Sequence, residues 1–234
     1  MNSTDKDGVR QMFDAIAWRY DFLNHFLSLG IDRWWRKKAI ERLSAPDGGV
    51  FLDVAAGTAD LTLGLLKRKK PKKVVGIDIS EQMLAIGRKK IEKYGYSNSA
   101  ELINENCENL SFHNDTFDGV TVGFGIRNFC HPQKGLSEMH RVLKPGGELI
   151  VLEFSRPNNK VMSLLFDFYF DTAMPFWGRL FAKNRGAYLY LPESIRRFAC
   201  GETFAGWMRD AGFSEVSFRT LTFGVVTIYK GTKA

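Results

Sequence analysis

The chain has 234 residues, of which 44% are hydrophobic and 13% aromatic, so it can bury a sizeable core, and we predict one globular domain, residues 1–234, with elaborations. No apolar stretch approaches the roughly 20 residues of a membrane-spanning helix, and the N-terminus lacks the apolar core of a signal peptide, which predicts a cytoplasmic protein. The three cysteines are too far apart for a zinc site, and the net charge of +7 fits either a solvated surface or anionic partners.

In chain order, a helical segment comes first, and from residue 50 strand-like and helix-like segments alternate. The strand-like segments are "VFLDVA", "KVVGIDI", "AELINEN", "FDGVTVGFG" and "GELIVLEFS". Near the end, "SEVSFRTLTFGVVTIYKGTK" predicts two strands that pair as a hairpin around Thr222 to Gly224. The pattern predicts an α/β, Rossmann-like sheet of about seven mostly parallel strands, with helices on both faces and a C-terminal antiparallel hairpin.

Two segments lie outside this alternation. Residues 1–45 predict a helical lid, and residues 156–190 predict a helical insertion before the last helix. The insertion is rich in aromatic residues but is interrupted by Asp167 and Asp171, so it does not predict a bilayer span. The insertion suits two interpretations equally well. It can be a wall for a prenyl tail or a membrane surface, or it can be a helical pair packed on the sheet or a dimer face.

The first turn from strand to helix, "DVAAGTADL", predicts the cofactor. Of the three glycines in a dinucleotide fingerprint only Gly57 is present, and Asp53 and Asp60 would repel a pyrophosphate. They suit the ammonium group of an amino acid, while Asp78, about twenty residues later, can accept both hydroxyls of a ribose. A nucleoside joined to an amino acid describes S-adenosylmethionine, and the pattern disfavours a nicotinamide cofactor.

Five motifs resemble one family: "YDFLNHFLSLGIDRWW", "DVAAGTADL", "GIDIS", "GFGIRNF" and "RVLKPGGELIVLEFS". They resemble the UbiE/MenG family of class I S-adenosylmethionine-dependent methyltransferases, which C-methylate quinone-ring precursors of ubiquinone and menaquinone, from about residue 8 to the end. The resemblance implies cofactor contacts at Thr58, at Asp78 on the ribose, and at Asn106 with Cys107 beside the adenine. Gly123 stands where some members use a serine, so no side chain can make that contact.

A ring carbon accepts a methyl cation only when the ring is electron rich, which predicts a quinol substrate, demethylmenaquinol or a related prenylated quinol, that loses a phenolic proton. Arg127 and Asn128 follow the fourth strand and are the predicted catalytic pair: the guanidinium holds the oxyanion or polarises a water, and the amide orients it. An ion pair with Glu153 is the structural alternative for Arg127. We expect Gly123 and Gly125 to let a ligand approach the backbone closely.

The lid offers other catalytic candidates, Tyr20, Asp21 and Asp32, as proton acceptors. Asp32 stands where the N-terminal signature of the family usually has histidine, so an imidazole at that position is excluded. The four histidines are scattered along the sequence, and none is paired at metal-ligand spacing, so no metal site is predicted.

Rival functions remain open at this point. A nucleic-acid methyltransferase acting on base nitrogens often has N/D-P-P-Y/F after the fourth strand, where this chain has "GFGIRN", so no nucleic-acid partner is expected. A methyltransferase-like protein that binds the cofactor without catalysis is an alternative from another class. The quinone branch and the oligomeric state, monomer or homo-oligomer, are not decided by the sequence.

Overall fold

The computed structural model describes residues 6–45, 47–157, 159–169, 172 and 186–234. Seven strands form one sheet in the order β3-β2-β1-β4-β5-β7-β6, and β7 runs antiparallel to both of its neighbours. This confirms the predicted sheet and its C-terminal hairpin. The strands are β1 (Val50–Val54), β2 (Lys73–Asp78), β3 (Ala100–Asn104), β4 (Phe117–Gly123), β5 (Leu143–Phe154), β6 (Phe213–Leu221) and β7 (Val226–Lys233).

The helices connect and flank these strands. The described α-helices are α1 (Lys6–Leu27), α2 (Asp32–Glu41), α3 (Asp60–Lys69), α4 (Glu81–Lys93), α5 (Pro132–Val142), α6 (Lys160–Phe168), α7 (Gly186–Arg197) and α8 (Glu202–Asp210). Short 3₁₀ turns cover Ile126–Asn128 and Thr222–Gly224. Ser80 caps α4 as its sequence predicts, because its Oγ accepts a hydrogen bond from the backbone N–H of Met83 at 3.2 Å.

The central strands of the sheet are buried on both faces. In β5, Ile150 and Leu152 enter one apolar cluster, whereas the alternate residues Leu149 and Val151 enter the other. Buried side chains of α2, α3 and α4 complete the first cluster, and those of α5 and α8 complete the second. Strands covered on both faces explain why the sequence shows continuous apolar runs instead of alternation.

One predicted boundary differs from the structure. The sequence places the end of α5 at the Pro-Gly-Gly stretch that begins with Pro145, but the helix ends at Val142 and the next residue, Leu143, already pairs with Phe117 of β4. The Pro-Gly-Gly residues lie instead in an irregularity of the β4–β5 pairing, where Gly146 has a φ of 75°.

The segments outside the alternation are helical where they are described. α1 packs against α4, α7 and α2 above the carboxyl edge of the sheet. Much of the aromatic insertion, including Phe170, Phe176, Trp177 and Phe181, lies outside the described residues. Within the part of the chain that the structure describes, no helix is both long and apolar enough to cross a bilayer.

Candidate active site

Two cavities adjoin under α1. The strand-end cavity lies at the carboxyl ends of β1, β2 and β4 and has an empty volume of about 730 Å³, counted with its open mouth. The apolar cavity has an empty volume of about 1670 Å³ on the same basis and lies between α1, α2, α6, α7 and the β6–β7 turn. Phe13, Tyr20 and Phe124 line both, so these three side chains form a shared wall.

The backbone at the strand ends is strained around the strand-end cavity. Ala55, Ala59 and Phe124 have φ values of 54°, 67° and 59°, a left-handed conformation that costs a non-glycine residue about 1 kcal/mol or more. Gly125 lines this cavity, and a Cβ at that position would come within 2.5 Å of the Ala55 Cβ. The glycine therefore lets the two loops touch each other, and its predicted close approach to a ligand stays a prediction.

Asp78 is the central polar group of the strand-end cavity. Its carboxylate accepts hydrogen bonds from the backbone N–H groups of Gly57 and Ser80, both at 2.9 Å. Burial raises the pKa of Asp78 to about 6, and these backbone hydrogen bonds only partly offset that effect. Among the described residues, no lysine, arginine or histidine lines this cavity. A buried carboxylate without basic neighbours fits hydroxyl groups and a sulfonium cation and opposes a pyrophosphate.

The other residues predicted for the cofactor divide into two groups. Gly57, Asn106, Cys107 and Gly123 line the strand-end cavity, as the prediction requires, and their contact with a cofactor stays a prediction. The Asn106 Oδ1 accepts a hydrogen bond from the backbone N–H of Glu108 at 3.2 Å, which closes a turn at the end of β3. Asp53 and Thr58, by contrast, are not among the side chains that line this cavity.

Asp53 is buried behind the first loop. Its two carboxylate oxygens accept hydrogen bonds from the hydroxyls of Thr62 at 2.6 Å and Thr121 at 2.9 Å. Burial raises its pKa to about 6 despite both hydroxyls. Asp53 links β1 to α3 and β4 beneath the loop, and its predicted contact with the cofactor stays a prediction.

Thr58 and Asp60 are held by the lid. The Thr58 hydroxyl donates a hydrogen bond to the Asp21 carboxylate, and Lys90 of α4 lies 2.8 Å from Asp21 and 2.5 Å from Asp60. Asp60 is thus neutralised inside the protein, whereas the sequence had offered it to a cationic ligand. Asp21, a predicted proton acceptor, takes part in this contact between α1 and α4, and it does not line the apolar cavity.

Arg127 forms the ion pair with Glu153 that was its predicted structural alternative. Its side chain also lines the apolar cavity. Its Nη1 lies 2.6 Å from the Glu153 Oε1 and donates to the Phe124 carbonyl at 2.6 Å, while its Nε donates to the Ser194 hydroxyl at 3.3 Å. The guanidinium also lies 5.4 Å from the centre of the Phe154 ring. These contacts compensate a side chain that is only 6% exposed and fix its orientation beside the shared wall.

Tyr20 supplies the hydroxyl group of the shared wall, and Tyr190 and Asn128 lie beside that wall. The Tyr190 hydroxyl donates to the Asn128 Oδ1 at 3.0 Å, which joins α7 to the end of β4. Asn128 lines the strand-end cavity and Tyr190 the apolar cavity. Burial raises the pKa of Tyr20, with the Asn24 hydrogen bond and the charge of Arg127 opposing it, so the phenol stays protonated at neutral pH.

Asp32 belongs to a cluster that the sequence did not predict. His25 Nδ1 lies 2.8 Å from its Oδ2, the Ser28 hydroxyl donates to its Oδ1 at 2.8 Å, and Arg36 bonds the same carboxylate. Burial alone would raise the pKa of Asp32, but Arg36 together with the two hydrogen bonds outweighs burial and lowers it. His25 was missed because the turn between α1 and α2 brings residues seven positions apart together.

The same cluster places one of the four histidines, His25, beside two carboxylates. Ligand atoms of His25, Asp32 and Asp60 lie within 4.8 Å of one another, a spacing that would suit a cation. Arg36 and Lys90 already supply positive charge to the two aspartates. The geometry is that of an internal charge cluster which ties α1 and α2 to the first loop.

A doubly wound sheet with a cavity at the β1–β4 switch point, an aspartate at the end of β2 and, among the described residues, no basic side chain in the cavity lining is the architecture of a class I S-adenosylmethionine-dependent methyltransferase. The crystal structure of an S-adenosylmethionine-dependent methyltransferase from Thermotoga maritima shares this fold, with a TM-score of 0.67 and 20% identity over 97% of this chain and 100% of that one.

The model of the ubiE/COQ5 methyltransferase family matches residues 1–233. A demethylmenaquinone methyltransferase of Bacteroides fragilis is 47% identical over 225 residues, 96% of this chain and 92% of that protein. The ubiquinone/menaquinone biosynthesis C-methyltransferase UbiE of Geobacter sulfurreducens is 45% identical over 226 residues, 96% of this chain and 88% of that protein. The chain belongs to the ubiE/COQ5 methyltransferase family, as its motifs predict.

Proposed function

We propose that this protein transfers the methyl group of S-adenosylmethionine to a ring carbon of demethylmenaquinol in menaquinone biosynthesis, with the related ubiquinone precursor as a second substrate. The observation that carries the proposal is the shared wall: a cavity suited to the cofactor and a larger apolar cavity meet at Phe13, Tyr20 and Phe124. The name of the Bacteroides fragilis relative supports the menaquinone branch.

The cofactor would be held by residues that line the strand-end cavity. Asp78 accepts the ribose hydroxyls, Asn106 and Cys107 border the adenine, and the backbone at Gly57 and Gly123 borders the amino acid and the sulfonium. When bound, S-adenosylmethionine supplies an electrophilic methyl group. The left-handed backbone at Ala55 and Phe124 fixes the two loops that shape this end of the cavity.

The ring of the quinol would lie in the apolar cavity against the shared wall. Arg127 stabilises the phenolate that forms when a ring hydroxyl loses its proton. Glu153 holds the guanidinium in place through Nη1 and does not occupy all of its N–H donors. Tyr20 stays protonated and can donate a hydrogen bond to the same oxygen. Asn128, fixed by Tyr190, orients the ring edge or a water.

The proton would leave on the side of the lid. Asp32 lines the apolar cavity and is ionised at neutral pH, because Arg36, His25 and Ser28 stabilise its charge. We infer that it takes the phenolic proton transiently, directly or through a water that Arg127 polarises, and passes it on to solvent, because the contacts that lower its pKa also make it a weak base.

The segments outside the sheet would work as a lid and a wall. The described helices of residues 1–45, α1 and α2, cover the site, since α1 lines both cavities. The described part of residues 156–190 forms a wall of the apolar cavity through α6, Tyr169 and Tyr190. We further propose a cytoplasmic protein that meets its substrate at the membrane surface.

The decisive experiment follows labelled methyl transfer from S-adenosylmethionine to reduced demethylmenaquinol and to the reduced ubiquinone precursor, side by side. Transfer to at least the first is expected, and none with the oxidised quinones, since those rings are electron poor. Cofactor binding without transfer to either quinol would instead identify a binding protein that lacks catalysis.

A further inference from the structure

Helix α6 carries apolar side chains on two faces. Met162 and Phe166 point to the apolar cavity and line it. A second face is an outer stripe at i, i+3, i+4 and i+7 spacing, and its members are Val161, Leu164, Leu165 and Phe168, which are 67%, 72%, 55% and 62% exposed. Leu165, at the border of this face, also lines the cavity. A helix in a globular protein normally turns polar residues to solvent, so the stripe indicates a second environment that is not water.

Two further apolar side chains stand near the same cavity. Leu29, in the turn between α1 and α2, is 84% exposed and also lines the apolar cavity. Phe223, in the β6–β7 turn, is 77% exposed, and its neighbour Thr222 accepts a 2.7 Å hydrogen bond from Trp35 of α2. We call Leu29, Phe223 and the outer stripe together the apolar rim.

The charges around the outer stripe are predominantly positive. Residues 155–169 and 190–198 contain four basic side chains, Arg156, Lys160, Arg196 and Arg197, against two acidic ones, Asp167 and Glu193. Asp167 is paired with Arg156 at 2.8 Å and with Arg196 at 3.5 Å, and Glu193 is paired with Arg197 at 2.5 Å, so both acidic charges are neutralised and the two segments keep a net charge of +2. Apolar side chains flanked by exposed cations match the interface of an anionic lipid surface.

We propose that the apolar rim docks onto an anionic lipid surface, so that a prenylated substrate moves from the bilayer into the apolar cavity without crossing water. Leu29 and Leu165 connect the apolar rim to the apolar cavity, because both are exposed at the rim and both line the cavity. The inference rests on the proposed function for the identity of the substrate, and it assigns the partner surface and the route.

The binding test uses vesicles of phosphatidylcholine alone and of phosphatidylcholine with phosphatidylglycerol. The wild-type protein should float with the anionic vesicles, and Leu164→Gln/Phe168→Gln should bind them at least about tenfold more weakly, as expected for removing two large apolar side chains. Tyr94→Gln is the matched control: Tyr94 is 51% exposed at the end of α4, which packs against β3. If the double variant fails to fold, Phe223→Asn carries the test, since asparagine tolerates the φ of 56° there.

A kinetic test separates docking from chemistry. With a short-tailed quinol in solution, the double variant should keep the kcat/KM of the wild type, whereas with a long-tailed quinol embedded in anionic vesicles it should lose about tenfold or more. Unchanged vesicle binding and unchanged rates in the variants would overturn the docking proposal and indicate that another surface covers the rim. No methyl transfer by the wild type to either quinol would overturn the proposed function instead.

Discussion

The two cavities achieve selectivity by different means. The strand-end cavity is shaped by backbone: left-handed alanines, a glycine that lets two loops touch, and a carboxylate bound by two N–H groups. The apolar cavity is shaped by side chains, with a buried ion pair and a hydrogen-bonded carboxylate set among aromatic rings. A ligand with many polar groups is recognised by fixed hydrogen bonds, while a ring with an apolar tail is held by exclusion of water and a few charges.

Arg127→Ala should show the largest difference between an effect on catalysis in the apolar cavity and an effect on cofactor binding in the strand-end cavity. Loss of the group that stabilises the phenolate should lower kcat by about 10²–10³-fold, while the dissociation constant of the cofactor changes less than about threefold. Single-turnover kinetics and calorimetric titration of S-adenosylhomocysteine measure the two quantities. An equal loss in both would make Arg127 a structural residue.

The variant needs a control for stability, because Glu153 is 1% exposed and would be left as an unpaired buried charge. Such a loss typically costs about 3–5 kcal/mol. Arg127→Ala/Glu153→Gln removes that charge, so it should regain thermal stability but not turnover. Arg127→Lys keeps a positive charge and should recover part of kcat.

Lowering the pH should first weaken the binding of the cofactor in the strand-end cavity. Asp78 must be ionised to accept both ribose hydroxyls, and its pKa is about 6 in the free protein. Cofactor affinity should therefore be constant above this pH and fall by up to about tenfold per unit below it. Titration calorimetry between pH 5 and pH 8 measures the profile.

Asp78→Asn provides the comparison for that profile. The variant should bind the cofactor more weakly at pH 8 and lose most of the pH dependence. Any dependence that remains would belong to Asp53, whose pKa is also raised to about 6 but which lies behind the loop. A profile that is flat in the wild type would contradict the role of Asp78.

Lys90→Gln should affect both cavities, but weakly. Lys90 joins Asp21 of the lid to Asp60 of the first loop, and half-exposed ion pairs contribute about 1 kcal/mol or less. We expect the cofactor to dissociate a few-fold faster, measured by stopped-flow displacement. Lys93→Gln, one turn further along α4 and exposed, should leave the rate unchanged.

The alternation of strands and helices follows from the sequence because the central strands are continuous apolar runs and most of the connections are helices with their own start and stop signals. Ser80 shows this, since the predicted cap is the observed one. The end of α5 was misplaced because Pro145 and two glycines suit a helix stop and a strand irregularity equally well.

Where the residue type alone specifies the chemistry, the sequence placed residues at the cavities: Asp78 and Asn106 line the strand-end cavity, and Arg127 lines the apolar cavity. Their contacts with ligands stay predictions. The sequence could not place residues where long-range pairs decide. Thr58 and Asp60 are engaged by side chains of α1 and α4, and His25 meets Asp32 only because of a turn that no local pattern encodes. Sequence reasoning therefore identified the residues that line the cavities better than it identified their partners.

The shared wall of Phe13, Tyr20 and Phe124 would also couple the two proposed ligands thermodynamically. A ligand on one side that immobilises these three rings would reduce the entropy that the ligand on the other side loses. Linkage requires the effect to be reciprocal, so the factor by which cofactor tightens quinol binding equals the factor by which quinol tightens cofactor binding. We therefore expect the two ligands to bind cooperatively, whichever arrives first.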